Sequence, residues 1–169
     1  MTAVYLPPWR IDVSLRPGVR SPVSRTGLAR VAGSALTAAG APSPASLALI
    51  LSDDRELAAL NVQHMGHDGP TDVLSFPLLT VGSFPRHPGH AASRVRASTP
   101  FRLPPGRRPH LGDIIVSVER ARAQATESVE TELRQLVVHG VLHVCGWDHA
   151  LPEERDAMRA LERAILRER

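Results

Sequence analysis

The sequence predicts a single α/β domain of 169 residues, in which a mixed, mostly parallel four-stranded sheet with one antiparallel strand is covered by about five helices. Strand-like and helix-like segments alternate in the first half of the chain, which favours a β-α-β crossover between parallel neighbours. Two strand-like segments follow one another in the second half, which favours a hairpin. A chain of this length buries a sizeable core without needing disulfides, so residues 1–169 are predicted to form one domain.

The N-terminal segments predict a strand followed by a helix. Apolar and polar residues alternate along residues 5–15, which is the period of a half-buried strand. Ser21 in front of Pro22 is typical of a helix N-cap followed by proline at the first helical position. Apolar residues at helical spacing then continue to Gly40, where we expect this helix to end.

A short strand and a short helix are predicted next. Residues 46–51 are continuously apolar, as in a buried strand. Asp53 and Glu56 have the spacing of a capping box, which indicates a helix over about residues 54–63.

The second half predicts two strands and two long helices. The segment TDVLSFP at residues 71–77 and the β-branched run at residues 111–118 are the strand candidates. A helix is predicted over about residues 126–145 and is ended by Gly146. The last helix is predicted to begin at Pro152.

An arginine-rich insertion separates the two strand candidates, at about residues 80–109. This insertion has no acidic residue, and its length is unusual for a structureless loop inside a domain. Two interpretations remain open: a hairpin insert without a role, or a basic arm whose arginines pair with phosphates. In the second case Arg107 and Arg108 are candidate substrate contacts.

Composition limits the location and the partners of the chain. Hydrophobic residues make up 43% of the sequence, yet no segment approaches the ~18 consecutive apolar residues of a membrane span. Cys145 is the only cysteine and cannot form an internal disulfide, so a reducing compartment is expected. The N-terminal residues lack the pattern of an export signal. We therefore expect a cytoplasmic protein with no membrane partner.

The segment HGVLHVCGWDH, residues 139–149, has the spacing of a metal site. His139 and His143 are four residues apart on a predicted helix, so their Cβ atoms lie ~5–6 Å apart on one face. Because Gly146 ends the helix, the chain can turn back and bring His149 to the same ion. Three protein nitrogens with an open fourth position form the catalytic zinc pattern, so we expect one Zn²⁺ per chain, with another divalent transition metal as the alternative.

Two alternatives to this metal site depend on neighbouring residues. Cys145 lies about 200° around the helix from His143, so it is expected to be buried rather than to bind the metal. The histidine spacing also occurs in metzincin peptidases, where a glutamate general base follows the first histidine; here that position is Gly140, which cannot accept a proton. The remaining alternative is that all three histidines merely form hydrogen bonds in the core.

Three segments together resemble the signatures of the YbeY-type rRNA-maturation endoribonucleases, in that family's order: residues 70–77, 111–114 and 139–149. The resemblance implies a mixed sheet with helices packed around a metal cleft, and zinc at His139, His143 and His149. It also implies a hydrolase specific for single-stranded RNA that acts in 16S rRNA 3′-end maturation and ribosome quality control. The implied partners are rRNA and the small ribosomal subunit.

The chain departs from this family at one position. The family has a Tyr-Arg pair before the Pro-Thr-Asp segment, and the arginine is thought to contact RNA; the matching residues here are His64 and Met65. Methionine offers no charge to a phosphate. Either the basic insertion supplies a substitute, or RNA cleavage by this member is weaker or different.

Other residues near these segments have less specific assignments. The reagent is expected to be a zinc-bound water, because the metal lowers its pKa to about 7. Asp148 either orients an imidazole or caps the turn. Two interpretations remain open for five further residues: each lines the cleft or contacts the substrate, or each has a structural role. These residues are Thr71, Asp72, Ser75, Asp113 and Trp147. Aromatic residues make up only 4% of the chain, so RNA binding is expected to depend mainly on phosphate contacts.

Two rival functions fit the same residues. One is a different zinc hydrolase in the same cleft, either a peptidase or a phosphoesterase. The other is a non-catalytic ribosome-assembly factor with a structural metal, which the missing family arginine favours.

Overall fold

The computed structural model describes residues 2–87 and 108–167. The strands are β1 (Thr2–Leu6), β2 (Trp9–Leu15), β3 (Ala45–Ser52), β4 (Val73–Pro77) and β5 (His110–Ser117). The helices are α1 (Arg25–Ala38), α2 (Asp54–Met65), α3 (Val118–Gln124), α4 (Val129–Val144) and α5 (Pro152–Arg167), with a single 3₁₀ turn at Val81–Ser83. Every helix in these ranges is too short or too polar to cross a lipid bilayer.

The described strands form one mixed sheet in the order β1-β2-β3-β5-β4. The three inner strands are parallel, and each edge strand is antiparallel to its neighbour. The predicted α/β class, the β2-α1-β3 crossover and the β4-β5 hairpin pairing are confirmed. The predicted count of four strands, one of them antiparallel, is wrong. The segment predicted as one strand over residues 5–15 reverses at Pro7 and Pro8, because proline fixes φ and offers no N–H to a ladder.

The helix boundaries follow from local caps. The helix predicted to begin at Ser21 begins after Ser24 instead, and the Ser24 hydroxyl accepts a hydrogen bond from the backbone N–H of Gly27. The predicted cap at Asp53 is confirmed, since its side chain accepts from the N–H of Glu56. The helix predicted from residue 126 begins after Ser128, and the short helix α3 before it was not predicted as a separate element.

Helices cover the two faces of the sheet unequally. Buried residues of α1, α4 and α5 join one large apolar cluster with alternate residues of the inner strands, such as Ile11, Leu49 and Ile114. On the other face α2 forms a small cluster around Leu57 and Ile115. Helix α4 therefore lies between the sheet and α5.

A close approach at Gly140 sets the distance between α4 and the hairpin of β4 and β5. The Ser75 hydroxyl donates to the carbonyl oxygen of Gly140 at 3.0 Å. A Cβ atom at Gly140 would lie 2.7 Å from Cγ2 of Ile114 and 3.2 Å from Cγ2 of Val73. The position that carries the general base in metzincins therefore has no room for any side chain.

Candidate metal centre

The three histidines of the 139–149 segment converge on one point. His139 and His143 lie on the last turns of α4, and His149 lies in the loop that follows. One ring nitrogen from each lies within 4.8 Å of the other two. The Nε2 atoms of His139 and His143 are 3.0 Å apart. The arrangement brings three nitrogen donors within reach of a single ion.

The turn after α4 brings His149 back to the helix. Gly146 has φ +82°, a left-handed conformation that favours glycine. The N–H of Gly146 donates to the carbonyl of His143 at 3.0 Å, and the N–H of Trp147 donates to that of Leu142 at 3.0 Å. This is the Schellman pattern, which satisfies the last carbonyls of a helix while the chain reverses. The helix stop predicted at Gly146 is thus confirmed.

Glu162 on α5 holds the ring of His139. Its Oε1 atom lies 2.8 Å from Nδ1 of His139, and the carboxylate is largely buried. A carboxylate at Nδ1 assigns the proton to that nitrogen and leaves the Nε2 lone pair directed at the other histidines. This residue was not identified from sequence. The prediction of a helix from Pro152 gave no signal for it, because no spacing rule connects residues on separate helices.

Burial controls the protonation of the residues at this end of α4. Burial, followed by the proximity of His139 and His149, lowers the pKa of His143 to about 4. The ring is therefore neutral near pH 7, which is the form that binds metals. Burial raises the pKa of the Cys145 thiol to about 12, so Cys145 is a protonated core residue as expected.

Asp148 and Trp147 both make structural contacts. Oδ1 of Asp148 accepts a hydrogen bond from the backbone N–H of His149 at 2.7 Å, which fixes the turn. Trp147 packs against the apolar cluster, and the ring of His87 stacks on it with centroids 4.0 Å apart.

A cleft of about 400 Å³ lies beside His139 and His149. Helix α5 lines it with Glu162, Arg155 and Arg159. These arginines were not identified from sequence, because the pattern of their helix indicates only an amphipathic helix with a charged, solvent-exposed face. Because residues 155, 159 and 162 are separated by four and three positions, they share one face of α5.

Of the candidates in β4 and just before it, Thr71, Asp72 and Ser75, only Asp72 lines this cleft. Its carboxylate accepts hydrogen bonds from the N–H of Val73 at 2.8 Å and from the Gln124 amide at 3.1 Å. The Thr71 hydroxyl donates to the same carboxylate at 3.2 Å, and that of Ser75 points to Gly140. The Thr71 hydroxyl thus holds the segment just before β4, and the Ser75 hydroxyl ties β4 to α4.

The remaining candidates that the structure describes lie away from the three histidines. Asp113 is on the α2 face of the sheet, where Oδ1 lies 2.8 Å from Nε2 of His110. The Arg108 guanidinium donates to the carbonyl of Pro8, at the turn between β1 and β2. Arg107 and most of the basic insertion lie outside the described residues. Met65 is 46% exposed at the end of α2.

Fold and site together define a small α/β protein with a three-histidine candidate metal centre at the end of a helix. Comparison with known proteins assigns it further: the family model described as Endoribonuclease YbeY matches residues 21–169, and the chain belongs to that family. The resemblance inferred from the three sequence segments is thereby confirmed.

Two relatives, from Roseiflexus castenholzii and from Picosynechococcus sp., agree with this assignment. The endoribonuclease YbeY of Roseiflexus castenholzii is 37% identical over 160 residues, which cover 92% of this chain and 90% of that protein. The one from Picosynechococcus sp. is 44% identical over 135 residues, with 78% and 72% covered. A solution structure from Thermotoga maritima aligns with a TM-score of 0.46 at 23% identity, over 92% of this chain and 88% of that one.

Proposed function

We propose that this protein is a cytoplasmic, zinc-dependent endoribonuclease that hydrolyses phosphodiester bonds of single-stranded RNA. Its proposed substrate is the rRNA of the small ribosomal subunit, in 16S 3′-end maturation and ribosome quality control. The observation that carries the proposal is the convergence of His139, His143 and His149 within 4.8 Å, in a chain of the endoribonuclease YbeY family.

The donor set fits zinc. Three imidazole nitrogens are borderline donors that suit this metal, and the carboxylate on His139 is the partner that metal-binding histidines commonly have. His139, His143 and His149 would hold the ion and leave one position open. When bound, zinc polarises a phosphoryl oxygen and lowers the pKa of a coordinated water to about 7.

The chain's own residues bind and orient the RNA in this proposal. Arg155 and Arg159 line the cleft, and in this proposal their guanidinium groups pair with phosphate oxygens of the RNA. These two arginines supply positive charge that this chain lacks at the position of the family arginine, where it has Met65. Asp72 receives hydrogen bonds from Val73 and Gln124, so we assign it to positioning the cleft wall rather than to proton transfer. Thr71 and Ser75 position the same strand, and Asp148 positions His149.

The test is cleavage of a single-stranded RNA and of a matched duplex by the purified protein, with and without a chelator. Wild type is expected to cut the single strand, lose activity with the chelator and regain it with zinc. His143→Ala is expected to be inactive, whereas His67→Ala, which removes an exposed histidine from a loop, should behave as wild type. Cleavage that persists in His143→Ala would identify a contaminating nuclease and contradict the proposal.

A non-catalytic role in ribosome assembly is the second candidate, favoured by Met65 at the position of the family arginine. In that case zinc-loaded wild type would bind small-subunit rRNA and leave it intact. A peptidase role is disfavoured, because the backbone at Gly140 leaves no space for a glutamate.

A further inference from the structure

One face of the sheet is only partly covered in the described part of the chain. Helix α2 packs on Ile50, Leu74 and Ile115, toward one end of the strands. Toward the other end of the strands, the same face carries Tyr5, which is 61% exposed. The large apolar cluster with α1, α4 and α5 lies on the opposite face.

Strand register aligns four side chains on this open face into one row. Tyr5 pairs with Arg10, Arg10 pairs with Ser46, and Ser46 pairs with His110. We call these four residues the sheet row. Three strand spacings of about 4.8 Å give the row a length of about 14 Å.

The sheet row is held in place by its own contacts. The guanidinium carbon of Arg10 lies 5.8 Å from the centre of the Tyr5 ring. Nδ1 of His110 lies 3.1 Å from the Ser46 hydroxyl, and its Nε2 lies 2.8 Å from Oδ1 of Asp113. A phenol ring, a guanidinium plane and an imidazole are therefore presented side by side on a rigid sheet.

The exposed charge beside these planar groups is mainly positive on β2 and its preceding turn. Arg10 forms an ion pair with Asp12, but the arginine side chain is 41% exposed and the aspartate side chain only 12%. The exposed guanidinium of Arg108 lies at the carbonyl of Pro8, in the turn next to the row. Among the described residues, Asp113 is the one well-exposed carboxylate on this face; it is bonded to His110 and can accept a hydrogen bond from the amino group of a base.

This combination suits unpaired nucleotides better than a protein. Bases of single-stranded RNA stack on aromatic rings and arginine planes, while nearby cations hold the backbone. The core of a protein-binding patch is usually more apolar than this row. Composition does not predict the sheet row, because strand register assembles the row from residues that are distant in the sequence.

We propose that the sheet row is a base-stacking subsite for single-stranded RNA, in which Tyr5 and His110 stack on bases and Arg10 and Arg108 contact phosphates. The choice of RNA as the ligand rests on the proposed function. The subsite is separate from the metal centre, because the sheet lies between them.

The edge strand β4 connects the two places. Ser75 points to Gly140, next to His139, while its neighbour Phe76 points to the open face and pairs in register with Asp113. An RNA that occupies the sheet row must therefore pass around this edge to enter the cleft. Only RNA substrates long enough to reach both the sheet row and the cleft therefore gain affinity from the sheet row.

The binding test measures fluorescence anisotropy of a labelled single-stranded oligoribonucleotide, with all variants in a His143→Ala background so that the RNA stays intact. Tyr5→Ala is expected to weaken binding about tenfold, and Tyr5→Phe by no more than about twofold, because stacking needs only the ring. Arg10→Ala is compared with Arg30→Ala, which removes an exposed charge from α1 on the opposite face. Only Arg10→Ala is expected to weaken binding by more than about twofold.

A cleavage assay of otherwise wild-type protein separates this subsite from the metal centre. Tyr5→Ala is expected to raise KM for a long oligonucleotide and to leave kcat unchanged, with no effect on a tetranucleotide. Unchanged affinity of Tyr5→Ala, or equal losses in Arg10→Ala and Arg30→Ala, would overturn the subsite. A change in oligomeric state of Tyr5→Ala without a change in RNA affinity would show that the face contacts protein, and would also overturn it.

The same assays keep the two proposals apart. If wild type cuts RNA, and the Tyr5→Ala variant binds RNA as tightly as the protein that keeps Tyr5, the proposed subsite is wrong and the proposed endoribonuclease activity stands. If the Tyr5→Ala variant loses affinity for RNA but zinc-loaded wild type never cuts RNA, the proposed subsite stands and the proposed endoribonuclease activity is wrong.

Discussion

Oε1 of Glu162 lies 2.8 Å from Nδ1 of His139, across the contact between α5 and α4. This hydrogen bond ties the packing of the last helix to the orientation of a candidate metal ligand. It also explains why the C-terminal helix belongs to the site, although it supplies none of the three histidines.

Removing this carboxylate is expected to weaken zinc binding. Glu162→Ala should lower zinc affinity by roughly 10- to 100-fold, because the ring of His139 loses the acceptor that orients it. Glu162→Gln, which keeps an acceptor oxygen, should lose less. Affinity is measured by competition with a chromophoric chelator, and Glu153→Ala, an exposed change on the same helix, serves as control. Equal affinity of Glu162→Ala and wild type would show that the carboxylate has no such role.

Substituting the glycine beneath α4 is expected to destabilise the fold. In Gly140→Ala the new Cβ would lie 2.7 Å from Ile114, so the helix or the hairpin must shift, at a cost of about 1–3 kcal/mol. Thermal unfolding should show a midpoint lower by several degrees. Gly33→Ala is the matched control: it is also within a helix, but its Cβ would meet nothing closer than 3.4 Å, so it should be neutral or stabilising. A Gly140→Ala protein as stable as wild type would contradict the close approach.

Zinc is expected to stabilise the folded protein through the histidine cluster. A ligand that binds only the folded state raises its stability by RT ln(1 + [L]/Kd). Adding zinc to chelator-treated wild type should therefore raise the Tm, whereas His149→Ala should respond far less and His67→Ala as wild type. An equal shift in His149→Ala would place the zinc elsewhere.

RNA binding is expected to weaken steeply with salt. For single strands the slope of log K against log salt is about −0.7 per phosphate contact. Arg159→Ala should make this slope shallower by about that amount, since its guanidinium lines the cleft. Arg30→Ala on α1 should leave the slope unchanged. Affinity that hardly changes between roughly 50 and 200 mM salt would argue against an RNA ligand.

Acid is expected to remove the contribution of the Arg16–Glu56 pair. Hydrogen bonds from the Arg16 guanidinium hold the pKa of Glu56 below its ordinary value of 4.5. Because the folded-state pKa is depressed, the stabilisation is present above about pH 4.5 and is lost as the pH falls through the folded value. Glu56→Gln should thus cost about 0.5–1 kcal/mol near pH 7 and progressively less as the pH falls below about 4.5, as measured by urea unfolding. A difference that is independent of pH would rule out the ion pair as its cause.

Features that depend on neighbouring residues could be predicted from the sequence. The placement of two histidines on one helix face, the stop at Gly146 and the N-cap at Asp53 each depend on spacing within a few residues. The predicted helix start at Ser21 was wrong because Ser24, three residues later, competes for the same role. The first strand was misjudged because periodicity alone does not reveal that the two prolines reverse the chain.

Relations between distant segments could not be predicted in this way. The sequence does not tell which face of β5 carries Asp113, since a shift of one residue moves every side chain of a strand to the other face. The bulge between β3 and β5 near Ser46 makes such a shift locally. The cleft positions of Arg155 and Arg159 likewise depend on how α5 is rotated against α4.

By itself, then, the sequence determined the fold class, the helix that carries two of the histidines and the turn that follows it, because spacing and backbone preference act over one or two turns of chain. Only the tertiary structure decided that Glu162 holds His139, that Gly140 must lack a side chain and that Tyr5 and His110 share a row. These relations arise where separate elements pack together, and packing depends on the shape of the whole core.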